Sequence, residues 1–184
     1  MPGLGYIGFN ATIDSNNANQ LLGASYKLIA EHHLDRICYL FSTQGGSVAD
    51  GILLYNSMKV LPVETTIYNM GNVNSIGNAV FLACQIRFTC PHSTFMFNND
   101  GIDIAGTSFE RKPKGADLDK LLWDQLKISE IIADETDLAI DEIEKLFFET
   151  TTKPAEFALQ CGIIRQIRMP DIERDAPFHH LVLK

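Results

Sequence analysis

The sequence predicts an α/β fold with parallel strands. Strand-like and helix-like stretches alternate through the first half of the chain, the signature of parallel strands joined by helices. The run "RICYLF" is continuously apolar over a strand's length, as suits a parallel strand buried on both faces. Hydrophobic residues make up 46% of the chain and charged residues 21%, an ordinary globular balance. A length of 184 residues suits one domain with a full core, taken as residues 1–184.

The elements follow in order. "GYIGFN" reads as a short strand. "SNNANQLLGASYKLIAEHH" has a polar start and apolar residues at helical spacing (Leu21, Leu22, Tyr26, Ile29, Ala30), with Ser15 or Asn16 as the cap. After "RICYLF", the turn "STQGGSVADG" leads into a helix marked by Val48, Ile52 and Tyr55, which Pro62 stops. "VETTIYNM" is β-branched and reads as a strand, and a helix is expected from about Ser75 to Cys84. "IRFTC" and "STFMFN" are two strands broken by Pro91, and "GIDIAGTSFERKPKG" is loop or exposed strand.

"ADLDKLLWDQLKISEIIADE" reads as a long helix. Its Leu118, Leu121, Leu122, Leu126, Ile128 and Ile132 span an arc of roughly 160°, wider than a core stripe needs, with Trp123 and Ile131 outside it. Such a helix is expected to be covered by more than its own domain. "AIDEIEKLFFE" and "KPAEFALQC" are shorter helices, the second with Pro154 near its start. Gly162 fits a C-cap, and "IIRQI" is the last strand expected.

Several classes of function are disfavoured. A net charge of −8 argues against non-specific nucleic-acid binding. No run of about 18 apolar residues exists, so no membrane span is expected. "MPGLGYIGFN" lacks the basic start and apolar core of a signal peptide, which makes the cytoplasm the expected compartment. Cys38, Cys84, Cys90 and Cys161 show no C-x-x-C spacing and read as buried, reduced thiols. The phosphate-binding pattern G-x-x-x-x-G-K-[ST] is missing, and no cofactor or metal is expected.

In parallel α/β folds, sites gather at the C-terminal ends of strands. Three such ends carry unusual residues. In "TQGGS", two glycines let the backbone approach a ligand and turn an N–H outward, as an oxyanion site requires. The same residues would also make an ordinary tight turn. In "GNVNSIG", Ser75 sits at a strand-to-helix turn, where a nucleophile is carried in a G-x-S-x-G elbow, although the strict pattern is absent. Ser75 could equally cap a helix. The third end, "FMFNND", offers Asn98, Asn99 and Asp100 where a general base is wanted, and an amide cannot take a proton at neutral pH.

Together these turns carry a family resemblance. "STQGGSVADGILLYNSM" resembles the S-P-G-G-[SV]-x-x-A/T-G-x-x-I-Y-D-x-M of the proteolytic subunit of the Clp protease, the ClpP family. "MGNVNSIGNAVFLA" resembles its M-G-x-A-A-S-M-G-x-x-L-L-A, with no gap between the two. "CPHSTFMFNND" and "KPAEFALQCGIIRQI" resemble two later motifs, and the likeness covers roughly residues 5–168.

The resemblance implies a ClpP/crotonase-like ββα superhelix with a long handle helix, the handle segment being about 99–134. It implies a self-compartmentalising serine endopeptidase with Ser75 as nucleophile and the N–H groups of Gly46 and Ile76 as oxyanion donors. Two positions depart from the family. Its catalytic histidine falls on Asn98, and its aspartate falls near "FFETTTKP", where Glu149 is the one acid.

Among the histidines, His92 starts the strand that Asn98 ends, roughly 20 Å away at about 3.3 Å per residue. His32 and His33 end an early helix, and His179 and His180 lie in a tail. Lys112, Lys114, Lys120, Lys127 and Asp100 are the other candidate bases. Losing the triad histidine costs on the order of 10⁶ in kcat, so the resemblance implies a weak or inactive peptidase. One alternative is a non-catalytic subunit assembling with itself or with an active paralogue. Another is a crotonase-like acyl-CoA enzyme, although no paired carboxylates lie near "QGGS" or "NVNS". The implied partners are a homo-oligomeric ring or stacked rings, peptide or unfolded protein as substrate, and a Clp ATPase.

Overall fold

A computed structural model describes residues 3–98 and 116–181, with side chains from 119 onward in the second stretch. The loop "GIDIAGTSFERKPKG", with Asp100, Lys112 and Lys114, lies outside the described residues, as does Asn99.

The chain runs β1 (Leu4–Asn10), α1 (Ser15–His32), β2 (Arg36–Thr43), α2 (Val48–Lys59), β3 (Glu64–Asn74), α3 (Gly77–Leu82), β4 (Ile86–Thr89) and β5 (Thr94–Phe97). It continues with α4 (Ala116–Glu135), α5 (Ile140–Phe148), β6 (Thr151–Pro154), α6 (Ala155–Gln160), β7 (Gln166–Ile167) and β8 (Phe178–His180). The helix N-cap is Asp14 rather than Ser15 or Asn16: its carboxylate accepts the Asn17 N–H at 2.8 Å. Any of the three polar residues has the chemistry to cap, and only the backbone path decides among them. Gly162, at φ 74°, follows the end of α6 as a left-handed cap.

The strands form one sheet in the order β6-β5-β3-β2-β1-β8, parallel except for the β5–β6 pair. The eleven-residue β3 changes partner midway. Thr66–Asn69 pair with β4, and Asn72–Asn74 pair with β5. The sheet therefore forks, with β4 and β7 on the second branch. "IIRQI" contributes only the two residues of β7, and the expected tail adds β8 beside β1.

Side chains alternate across the sheet as the strand period demands. Ile7, Phe9, Ile37, Tyr39, Phe41, Ile67 and Val73 join the main core with Leu21 and Leu28 of α1, Leu54 and Met58 of α2, and most of α3. Tyr6, Cys38, Tyr68 and Phe88 form a smaller cluster from the intervening positions. The C-terminal segment lies over that cluster. The Arg168 guanidinium sits 4.1 Å from the Phe88 ring centroid and donates to Tyr68 Oη at 2.7 Å.

One polar knot fixes α4 to the body. Glu135 accepts from Tyr55 Oη at 2.9 Å, pairs with Lys59, and lies 3.3 Å from Arg87 Nη1. Arg87 also donates to the carbonyls of Leu82, Glu135, Gly162 and Ile163. Burial raises the Glu135 carboxyl's proton affinity. The bonds from Lys59 and Tyr55 and the charges of Lys59 and Arg87 outweigh it, and its pKa lies below the usual carboxyl value.

Because the folded pKa is lowered, this group stabilises the fold above the unfolded-state pKa, and that contribution is lost as pH falls through the folded value. Glu135→Gln is therefore expected to cost about 1–2 kcal/mol at pH 7 and less at pH 3. Urea midpoints of both proteins at the two pH values measure this.

Candidate active site

The site begins with the fork. As β3 turns toward β5, the Ser75 N–H donates to Met96 O at 2.9 Å, so the chain leaves β3 still tied to β5. Ser75 takes φ 53°, in the left-handed region, and is 8% exposed. It does not cap the following helix: Ile76 holds the N-cap position of α3, without a side-chain cap bond. The expected helix over Ser75–Cys84 is therefore shorter, because "GNVN" continues β3 to Asn74 and Ser75 forms the elbow. Among the described residues, Ser75 Oγ makes no hydrogen bond.

The second turn lies directly against the first. Gly45 and Gly46 have φ 90° and 145°, values that L side chains rarely adopt. A Cβ at Gly45 would stand 2.9 Å from Ser75 Cβ, and one at Gly46 would stand 2.1 Å from Ile13 O. The Gly46 backbone is held by its neighbours: Ile13 N–H donates to Gly45 O at 2.8 Å, and Ser47 N–H to Ile13 O at 2.7 Å. Among the described residues, the N–H groups of Gly46 and Ile76 carry no intramolecular hydrogen bond. Backbone donors left open beside a serine hydroxyl suit a developing oxyanion.

Asn98 lies one residue past the end of β5 and is half-buried. Parallel pairing of Asn74 with Met96 brings that end of β5 alongside the elbow. Asn78 reinforces the junction, its Nδ2 donating to Ser75 O at 3.0 Å and to Met96 O at 2.9 Å. Nothing in the sequence marks Asn78, because its bonds exist only once β5 is in place. Glu149 ends α5 two residues before Thr151, which pairs with Phe97. Its half-exposed carboxylate lies 3.9 Å from Lys145 Nζ.

The histidines lie elsewhere. His92 is in the turn before β5, at the opposite end of that strand from Asn98. His32 and His33 close α1. His179 and His180 belong to β8, with β1 and β2 between them and β3. Lys120 and Lys127 pair with Asp124 on α4, at 3.3 and 3.5 Å. No helix among the described residues is long and apolar enough to cross a membrane.

Known proteins resemble this chain. The profile of the Clp protease family matches residues 5–171. ATP-dependent Clp protease proteolytic subunit 2 of Thermobifida fusca (strain YX) is 26% identical over 164 residues, covering 87% of this chain and 79% of its own. Subunit 1 of Corynebacterium jeikeium (strain K411) is 26% identical over 135 residues, covering 72% of this chain and 70% of its own. ClpP1 from Listeria monocytogenes shares the fold with a TM-score of 0.76 at 19% identity, over 90% of this chain and 92% of that one. The ClpP catalytic domain from Plasmodium falciparum gives 0.73 at 16% identity, over 92% and 88%.

The elbow depends on close packing. A Cβ at Gly77 would stand 2.4 Å from Thr43 Cγ2, so Gly77 lets α3 lie against the end of β2. Gly77→Ala is expected to cost about 1–3 kcal/mol by overpacking. Adding Thr43→Ser removes the offending methyl, keeps the hydroxyl that accepts from Gly45 N–H, and should restore most of the loss. Denaturation of the two singles and the double measures the coupling.

Proposed function

Because the chain belongs to the Clp protease family, we propose that it is a proteolytic subunit that binds peptide at Ser75 but cleaves it far more slowly than a complete triad would. The observation that carries this reading is the pairing of an elbow serine, flanked by two open N–H donors, with a carboxamide at the end of β5. In the proposed reaction Ser75 Oγ attacks the scissile carbonyl carbon. The carbonyl oxygen becomes an oxyanion that accepts hydrogen bonds from Gly46 and Ile76. The attacking hydroxyl must lose its proton, and Asn98 can accept a hydrogen bond but not the proton itself. The oxyanion donors then supply the residual rate, while about 10⁶ of the triad's acceleration is lost. Glu149 is the acid of the segment that runs beside Asn98, and in this reading it orients nothing while Asn98 stands in the histidine's place.

The test is labelling of the purified protein by a fluorophosphonate, with Ser75→Ala as control. Slow labelling confined to Ser75 is expected. Asn98→His should quicken it about 10²-fold, the lower end of what a general base supplies when nothing orients it. An Asn98→His protein that labels no faster would remove Asn98 from the base position. Peptide turnover at full-triad rates by the unaltered chain would overturn the slow-enzyme reading.

The same carboxamide favours a second reading, in which the chain serves as a non-catalytic member of a mixed assembly. No labelling of an intact oligomer, together with co-purification of an active paralogue from native cells, would establish it.

In either reading the subunit assembles with other copies, and the compartment is the cytoplasm. The supporting surface is on α4. Ile128 and Ile132 are buried, whereas Leu122 is 54% and Trp123 62% exposed. Those two, with Asp119 and Leu126, line a cavity of about 260 Å³ on the helix's outer half. A paired apolar face of this kind suits a second copy of the helix. The relatives are named as ATP-dependent, and an ATPase partner is proposed here on that likeness alone. Trp123→Asp is expected to shrink the assembly in sedimentation velocity. Trp123 is the chain's one tryptophan, so in the unaltered protein dilution below the assembly's dissociation constant should shift its emission to the red.

A further inference from the structure

We infer that Gln44 and Asn74 form a positioning pair that sets the spacing of the two oxyanion donors, a role that rests on Ser75 being the reacting residue. The pairing of β2 with β3 is interrupted just before the site. Phe41 stands opposite Asn69 and Thr43 opposite Val73, so two residues along β2 match four along β3. A regular backbone ladder cannot run through such a mismatch.

Side-chain amides hold the strands together there instead. Asn72 Nδ2 donates to Thr43 O at 2.9 Å, and Ser42 Oγ donates to the backbone and side-chain oxygens of Asn72 at 3.2 and 3.1 Å. One step further on, Asn74 Nδ2 donates to Gln44 Oε1 at 2.7 Å.

The position of that last bond gives it its meaning. Gln44 stands two residues before Gly46, and Asn74 two residues before Ile76. The bond thus joins the two turns two residues ahead of each open N–H. Beyond the Thr43–Val73 bridge, which restores the ladder for one pair, the turns meet by close packing, Gly45 lying against Asn74 O and Ser75 Cβ. Packing resists approach but not separation, whereas a short hydrogen bond resists separation. Oxyanion donors act through fixed placement, and a displacement of about 1 Å can cost on the order of 10²-fold in rate. In a site with no base, the remaining rate rests on those donors, so loosening them is read out directly.

The experiment compares wild type, Gln44→Ala, Asn74→Ala, the double alanine variant, and the swap that combines Gln44→Asn with Asn74→Gln. Gln44 is exposed, so its alanine variant is expected to fold even where Asn74→Ala does not. Fluorophosphonate labelling is resolved into the inhibitor's binding constant and the maximal rate.

Each single alanine should lower the maximal rate about tenfold or more and leave the binding constant unchanged. The double variant should fall no further than the singles, and the swap should recover most of the rate. Deuterium exchange by mass spectrometry supplies a readout that needs no reactive serine. Gln44→Ala should speed exchange across residues 73–78, on the far side of the bond. Labelling at the wild-type rate in the alanine variants would overturn the pairing, as would additive losses or unchanged exchange. A wild type that does not label at all would sink the nucleophile reading, while exchange alone would still decide whether the two turns are coupled.

Discussion

Everything at the site depends on how the sheet divides at Asn69. This residue is fully buried, yet each of its polar groups past the last ladder pair is used. Its carbonyl accepts from Cys90 N–H at 2.9 Å and Ser93 Oγ at 3.1 Å. Its carboxamide donates to Thr94 O at 2.9 Å and accepts from Gly71 N–H at 3.0 Å. A parallel strand that changes partner exposes backbone groups at the crossover, and leaving them buried and unmet would be costly. Asn69 meets them with one side chain. The crossover lets β5 begin where β4 ends and run beside the last residues of β3, which brings Met96 O to Ser75 N–H.

The chemistry that results is divided. Around Ser75 most of the hydrogen-bonding side chains are carboxamides: Gln44, Asn74 and Asn78 bind the turns beside the Thr43 hydroxyl, and Asn98 ends the neighbouring strand. Carboxamides donate and accept, and so they can fix geometry in a partly buried place without a charge to desolvate. They cannot move a proton. In the proposed reading the site supplies placement and polarisation, and among the described residues no side chain bonded to Ser75 is there to take its proton.

Much of this was legible in the linear chain, for identifiable reasons. "RICYLF" is a strand because its apolar content leaves it no other burial, "VETTIYNM" because its β-branched residues suit a pleated surface, and α4 spans the stretch its periodicity marks. The turns at Gly45 and Gly46 were marked by residues with few alternative uses. Three features were not legible. "GNVN" reads as a turn, yet it continues β3, because Asn72–Asn74 find backbone partners in β5, a strand that a local reading does not reach. "FHH" has no strand pattern and becomes β8 only by lying along β1. The left-handed backbone of Ser75 leaves no mark in composition, since a serine in that setting caps a helix as readily as it forms an elbow. Asn78 acts between β3 and β5 and Gln44 between β2 and β3, and a local window sees neither junction.

The backbone at Ser75 has a thermodynamic corollary. A residue with a Cβ in the left-handed region costs about 1–2 kcal/mol that glycine would not incur, partly offset by the larger entropy that glycine loses on folding. Ser75→Gly should therefore be neutral to about 1 kcal/mol more stable than the natural chain, although it removes the side chain of a buried residue. Most substitutions at a buried position weaken a fold. Here the natural residue is the strained one, and in the proposed reading the strain aims a single oxygen atom. The folding equilibrium thereby sets Ser75 apart from the buried residues held by packing or by hydrogen bonds: replacing those loosens it, and replacing Ser75 relaxes it.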